Sequence, residues 1–329
     1  MIKTVATAGR TVFFSGLTIM VTLGSMLVFP LYFLKSFGYA GITVVAMAVI
    51  GALVPLPAML ALLGHRIDKY AVRKSALTPK EHGGWAKTAH FVMRRPVAVL
   101  LLTLIGLSVF AAPIKDIAFG QVDSQVLPKN HPAAVAARVV DERFPGRESV
   151  PIEFVIENGA KFLGTPELKK YQAEVGSTEG ILYLTDAVTS GEILRFNAIH
   201  SMSPRSLPAE ALIDKLREIP APSGTLIGGA AADYTDTQQG IADALPWALL
   251  WISVSVLLLL FIFTGSILLP IKAVLLNILS LAATLGVITW IFIDGNLANL
   301  LGGFTVTGTL DTGSVILIAV TTFGLSMDY

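Results

Sequence analysis

The residues best placed to do chemistry stand at the C-terminal end of the chain, in "TTFGLSMDY". Asp328 follows an apolar run that begins at Ser314, and Tyr329 is beside it. An aspartate at the middle of a membrane span costs roughly 2.5–3.5 kcal/mol to insert, and helix packing has no need of it. Ionisable residues inside spans mark proton relays or ion pathways. Desolvation raises a carboxylate pKa towards neutrality, and a phenol both donates and accepts hydrogen bonds. Counted from Ser314 at 1.5 Å per residue, Asp328 lies about 21 Å down the helix, past the middle of a roughly 30 Å core. The opposing reading is a helix-end residue near the rim. Successive helix positions point about 100° apart, so each of the two side chains is expected to pair with a neighbouring helix.

Other polar residues recur at helical spacing. Thr11, Ser15, Thr18, Thr22 and Ser25 make one hydroxyl face, and Asn277, Ser280 and Thr284 make another. Ser314, Thr321, Gly324 and Asp328 share a stripe, flanked by Thr322, Ser326 and Tyr329. Small hydroxyl residues are common at helix interfaces in membranes, so these stripes read as packing faces or as supports for the carboxylate. Ser15, Thr18, Thr22, Thr321 and Ser326 are the candidates for that support.

Soluble-enzyme chemistry finds little footing. The five histidines (65, 82, 90, 131 and 200) have no metal-ligand spacing, and no P-loop is present. "LIGGAAADY" lacks the GxGxxG spacing and reads as a close-packing turn. With no cysteine, disulfides, thiolate metal sites and thiol nucleophiles are excluded. No cofactor is expected, and the chain does not read as an enzyme. Transport, if performed, draws on an ion gradient or on a partner's ATPase.

The elements that must carry these residues follow from composition. Hydrophobic residues make up 53% of the chain and charged residues 14%, where a soluble domain has about a quarter charged. A net charge of +1 gives no argument for nucleic acid. Six apolar runs approach the ~20 residues of a membrane span: Thr11–Leu34, Gly38–Gly64, Pro96–Pro113, Pro246–Leu269, Ile271–Ile293 and Ser314–Tyr329. A tight turn is expected at Lys35–Phe37, making 1–64 an antiparallel hairpin. The first run is about twice the length of a signal-peptide core and has no cleavage site after it.

Residues 65–95 carry eight Lys and Arg against Asp68 and Glu81, which places them in the cytoplasm by the positive-inside rule. The same segment could hold anionic lipid head groups. One span, 96–113, separates it from 114–245, which then lies outside; three spans follow in 246–329, the last cut short. The N-terminus is cytoplasmic.

The segment 114–245 reads as a folded α+β domain. "SVPIEFVIENG" is a strand, "TPELKKYQAEV" a Thr-capped helix, and "ILYLTDAVTSGEILRFNAIHS" two strands joined around Ser190–Gly191. "SLPAEALIDKLREI" is a second capped helix and "GTLIGGAA" a last strand. The order βαββαβ is the ferredoxin-like unit. The preceding segment "QVDSQVLPKNHPAAVAARVVDERFPG" is extended and then helical; the following "DYTDTQQGIADALPWALLW" is helical, with Pro246 a kink or a boundary.

"TAGRTVFFSGLT", "FGYAG", "LVPLPAMLALLGHRID", "LPWALLWISVSVLLLLFIFTGSILLPIKAVLLNILSL" and "FGLSMDY" together resemble the mycobacterial membrane protein large (MmpL) family of the resistance–nodulation–division superfamily. The resemblance runs along nearly the whole chain. It implies a proton-driven exporter of lipids, glycolipids or siderophores, with twelve spans and two extracytoplasmic porter domains in two parallel repeats. On that plan the first two spans match the fifth and sixth of the family, and the third the seventh. The outer unit matches the second porter domain, and the last three spans the eighth to tenth. Asp328 and Tyr329 match an Asp–Tyr pair that works with a second pair on the family's fourth span. This chain would then hold half of a proton site, in the bacterial inner membrane. A split transporter with a partner chain supplying the missing spans and first porter domain, a truncated or recombinant piece, an internal start at Met1, an assembly subunit and an inactive remnant all fit that plan.

Overall fold

The computed structural model describes residues 2–64, 83–121, 126–128, 130–144, 146 and 148–326. The chain divides into a helical unit (Met1–Ile117, Leu245–Asp294, Gly313–Tyr329) and a sheet unit (Ala118–Ala244, Gly295–Thr312).

The helical unit begins with α1 (Ile2–Gly24), α2 (Tyr32–Leu53) and α3 (Pro55–Leu63). Gly16 meets Val49, while Gly38 and Gly41 meet Leu27 and Leu23. Residue numbers rising on α2 as they fall on α1 make the pair antiparallel. Small residues at these positions let the backbones approach closely.

The turn between them is not at Lys35–Phe37 as the sequence suggests. A short 3₁₀ segment, Ser25–Val28, leads into an extended Phe29, at φ −70° and ψ 146°. Pro30 explains the placement, because the residue before a proline is pushed out of the helical region. By Lys35 the chain is already helical, its N–H donating to the Leu31 carbonyl at 3.1 Å. The Lys35 ammonium lies 5.8 Å from the Tyr32 ring centroid, so its charge is carried on the side of α2 rather than in a turn. A second proline breaks the next span: Val54 leaves ideal helical geometry, at φ −113°, immediately before Pro55.

Two helices follow the undescribed segment 65–82: α4 (Gly84–Arg94) and, after Arg95, α5 (Pro96–Ala111). Later come α9 (Ala230–Thr264) and α10 (Leu268–Phe292), and α11 (Thr312–Ser326) ends the described residues. Helix α9 continues through Pro246, so the proline neither ends nor restarts it; the division between units falls just before it, at Ala244 and Leu245.

Among the described residues, five helices are long and apolar enough to cross a membrane, and α11 is a shorter apolar helix. The most apolar windows of the second and third spans are 0% buried. On α2, Val44, Met47 and Ile50 are more than half exposed, as are Leu102, Ile105 and Val109 on α5. Helices apolar on every side and uncovered by protein need lipid or further helices around them. The chain is a helical membrane protein with a small mixed α/β region.

That region is built on β2 (Ile152–Ile156), α7 (Pro166–Gly176), β3 (Ile181–Leu184), β4 (Val188–Ser190), β5 (Ile193–His200), α8 (Leu207–Glu218) and β6 (Thr225–Gly228). The sheet order is β3-β5-β2-β6, every pairing antiparallel, with β4 also on β5. This is the ferredoxin-like arrangement. Alternation on β2 buries Ile152, Phe154 and Ile156 completely, the period of a strand with one covered face. Phe154 stacks on its cross-strand partner Phe196, centroids 4.7 Å apart, and Tyr171 of α7 meets both rings edge-on. Thr165 and Ser206 cap α7 and α8 by accepting from the N–H groups of Leu168 and Ala209.

Where the sequence reads one strand before Ser190–Gly191, there are two. Thr185 accepts the Asn197 N–H on its hydroxyl, at 2.9 Å, in place of its carbonyl. A side chain has replaced a ladder bond, and β3 ends there. Gly191, at φ +62°, forms the β4–β5 hairpin.

A further pairing has no counterpart in the sequence reading. β1 (Phe119–Gly120) and β7 (Leu310–Asp311) lie parallel. Thr312 Oγ1 is 3.0 Å from the Gly120 carbonyl and 3.1 Å from Gln238 Oε1. Gln238 Nε2 donates to the Tyr234 hydroxyl, which donates to the Phe119 carbonyl. The first residue of α11 is thereby tied to β1 and to the start of α9. Between them, α6 (Pro132–Arg143) occupies the segment expected to turn helical.

Candidate functional site in the membrane helices

The hydroxyl face of α1 is graded. Thr11 is exposed and Ser15 half-buried, whereas Thr18, Thr22 and Ser25 are buried. The buried hydroxyls are satisfied by their own helix. Thr18 donates to the Phe14 carbonyl at 2.9 Å, Thr22 to Thr18 at 2.8 Å, and Ser25 to Thr22 at 2.7 Å. In a span such back-bonding hides the donor, leaving the oxygen lone pairs on the helix surface.

Two different neighbours receive this face. Thr11, Ser15 and Thr18 border a cleft of about 60 Å³ with Leu260 and Phe263 of α9 on its far side. One turn further on, Thr22 meets α11 at Gly324, where an added Cβ would stand 3.3 Å from the threonine Cβ and Cγ2. The glycine permits this approach, and the stripe on the last helix therefore has a partner. Thr321, one turn earlier on α11, is half-buried, its hydroxyl donating to the Leu317 carbonyl at 2.7 Å. Ser314 and Ser326 are exposed. Thr22 and the Gly324 turn are brought together, then, while Ser15 and Thr18 face α9 and Ser326 faces outward. Asp328 and Tyr329 lie outside the described residues.

Sequence reasoning placed Asn277 in a packing stripe and understated it. It is 3% exposed, and its Nδ2 crosses to α11 to donate to the Phe323 carbonyl at 3.0 Å. Its Oδ1 is buried with no hydrogen-bond partner among the described residues. An amide at this depth was visible in the sequence; its reach across to α11 is tertiary and left no local signal. Ser280 and Thr284, its stripe-mates, are half-buried, and Thr284 bonds back to the Ser280 carbonyl.

On another side of α1, Trp251 Nε1 donates to the Val21 carbonyl at 3.0 Å. Helix α1 ends at Gly24, so this carbonyl is among those that lose an α-helical donor. Around the indole, Leu17, Met20, Gly24 and Ile42 line an open apolar cleft of about 450 Å³. The helical unit thus offers a hydroxyl-lined interior and an apolar exterior cleft. Among the described residues no group of acidic or histidine side chains could hold a metal ion.

Polar groups buried between apolar spans are the packing of a multi-pass helical membrane protein. Residues 1–99 match the MMPL family model. A membrane protein of Streptomyces coelicolor is 36% identical over 99% of this chain and 44% of its own length. The trehalose monomycolate exporter MmpL3 of Mycobacterium tuberculosis is 29% identical over 99% of this chain and 39% of its own. The mycolic acid-containing lipids exporter MmpL11 of Mycolicibacterium smegmatis is 26% identical over 98% and 35%. The chain is similar to MMPL family membrane proteins, and it spans less than half the length of these relatives.

Proposed function

We infer that the chain forms part of an MMPL-type exporter that moves lipids across the inner membrane, driven by the proton gradient. One relative named as a trehalose monomycolate exporter and one named as an exporter of mycolic acid-containing lipids support the substrate class. The observation that carries the reading is the seating of the α1 hydroxyl face on α11 at Thr22 and Gly324, reinforced by the Asn277 bond to Phe323. Asp328 and Tyr329 stand two and three residues beyond the end of that helix in sequence. They are this chain's share of the proton site, with Thr22 and Thr321 as its polar support.

In this reading 1–64, 96–113 and 246–329 are the spans, 65–95 is cytoplasmic, and 114–245 is an extracytoplasmic porter domain. A first porter domain and the remaining spans, outside residues 1–329, complete the exporter. The test is Asp328→Asn in the complete exporter. Proton-coupled export should be abolished while membrane insertion and abundance stay unchanged, and Asp328→Glu should retain part of the activity. Wild-type export from the asparagine variant overturns the proton-site assignment.

A further inference from the structure

Helix α4 is the most amphipathic of the described helices, with little overall hydrophobicity. On a wheel of 100° per residue, Ala86, Ala89, Val92 and Met93 form one stripe, and Lys87, His90 and Arg94 form the opposite one. Phe91 flanks Lys87. Met93 is 77% exposed and Phe91 62%, so protein does not cover these apolar groups. No acidic residue occurs between Gly83 and Arg95, and Lys87 and Arg94 make no ion pair among the described residues.

The helix axis is interrupted immediately afterwards. Arg95 adopts φ −134° and ψ 55°, as expected before a proline, and Pro96 then opens α5, an apolar helix with no buried residue. α4 is thus a separate helix tethered at the mouth of a span. A topology signal needs only a count of positive charges; it does not require them on one stripe opposite an apolar one. That arrangement is what an in-plane interfacial helix needs.

We propose that α4 lies in the membrane interface and binds anionic phospholipid head groups through Lys87 and Arg94, with Ala89, Val92 and Met93 set into the acyl boundary. The inference rests on the membrane class of the chain and not on export.

The chain has no cysteine, so single labels can be placed without background. The full chain is reconstituted in phosphatidylcholine vesicles with and without phosphatidylglycerol, spin-labelled at Ala89→Cys, Met93→Cys or His90→Cys. Labels at 89 and 93 should be open to oxygen and shielded from a water-soluble nickel chelate, and the label at 90 should show the reverse. A fluorophore at Thr88→Cys should be quenched preferentially by nitroxide-labelled phosphatidylglycerol over the phosphatidylcholine analogue. Lys87→Gln and Arg94→Gln should each lower that preference about fivefold, and Lys87→Arg should preserve it. Equal nickel access at all three positions overturns the interfacial placement. An unchanged lipid preference in the double glutamine variant overturns the head-group site.

Discussion

At the scale of single residues, burial without a partner is the informative condition. Tyr171 in the sheet core is 2% exposed, and its hydroxyl has no hydrogen-bond partner among the described residues. Burial pushes its pKa from 10.0 up to about 12. The folded state keeps the phenol neutral while the unfolded chain ionises near 10. This contribution is therefore whole below about pH 10 and disappears as pH rises through about 12. Tyr171→Phe should remove that alkaline loss. At neutral pH it should stabilise the fold by about 1 kcal/mol, since an unpaired buried hydroxyl is itself destabilising. Thermal melts of the full chain at pH 7 and pH 11 check both; equal alkaline sensitivity in the variant would refute the account. Residue types and spacing made the hydroxyl face of α1 legible in the sequence, because helical periodicity is a local property. Which neighbour each hydroxyl meets was not legible: Ser15 and Thr22 are two turns apart on one stripe, yet they face α9 and α11 respectively.

At the scale of elements, small residues decide how closely the spans pack. Gly286 of α10 lies against the Phe110 carbonyl, and an added Cβ would collide with it and stand 3.0 Å from the Ala111 Cα. The obstruction is backbone, which cannot rotate away. Gly286→Leu should therefore separate α5 from α10, at a cost of about 1–3 kcal/mol. Gly106 on α5 has open space where its side chain would be, so Gly106→Leu should be neutral. Melting temperatures in detergent distinguish them, and equal shifts would mean that α5 and α10 do not pack this way. The capped helices α7 and α8 and the alternating β2 were readable for the same local reasons. The misplaced turn at Lys35–Phe37 shows the limit. A lysine and a glycine inside an apolar run look like a loop, but Pro30 controls the backbone and the lysine rides on a helix.

At the scale of the whole molecule, the two units differ in what stabilises them. The sheet unit has a continuous apolar core from Ile152 to Ala232, built from contacts made within one stretch of chain. Most apolar side chains of α2 and α5 face outward, so their stability depends on what surrounds them. The β1–β7 pair was illegible in the sequence because two-residue strands carry no periodicity, and their partnership is set only when the chain returns.

That return has a temporal meaning. Gly120 and Thr312 are bonded across 192 residues, a stretch that takes roughly 10–40 s to synthesise at 5–20 residues per second. The β2–β6 sheet has all its strands long before then, whereas β1 must wait until α9 and α10 have both been made. A chain truncated after residue 300 should therefore protect Ile152–Gly228 from protease while leaving the bond after Phe119 open to cleavage. The full chain should protect both, and a protected Phe119 in the truncated chain would refute this order. The short parallel pair acts as a clasp that can close only once the chain has passed through two intervening membrane helices.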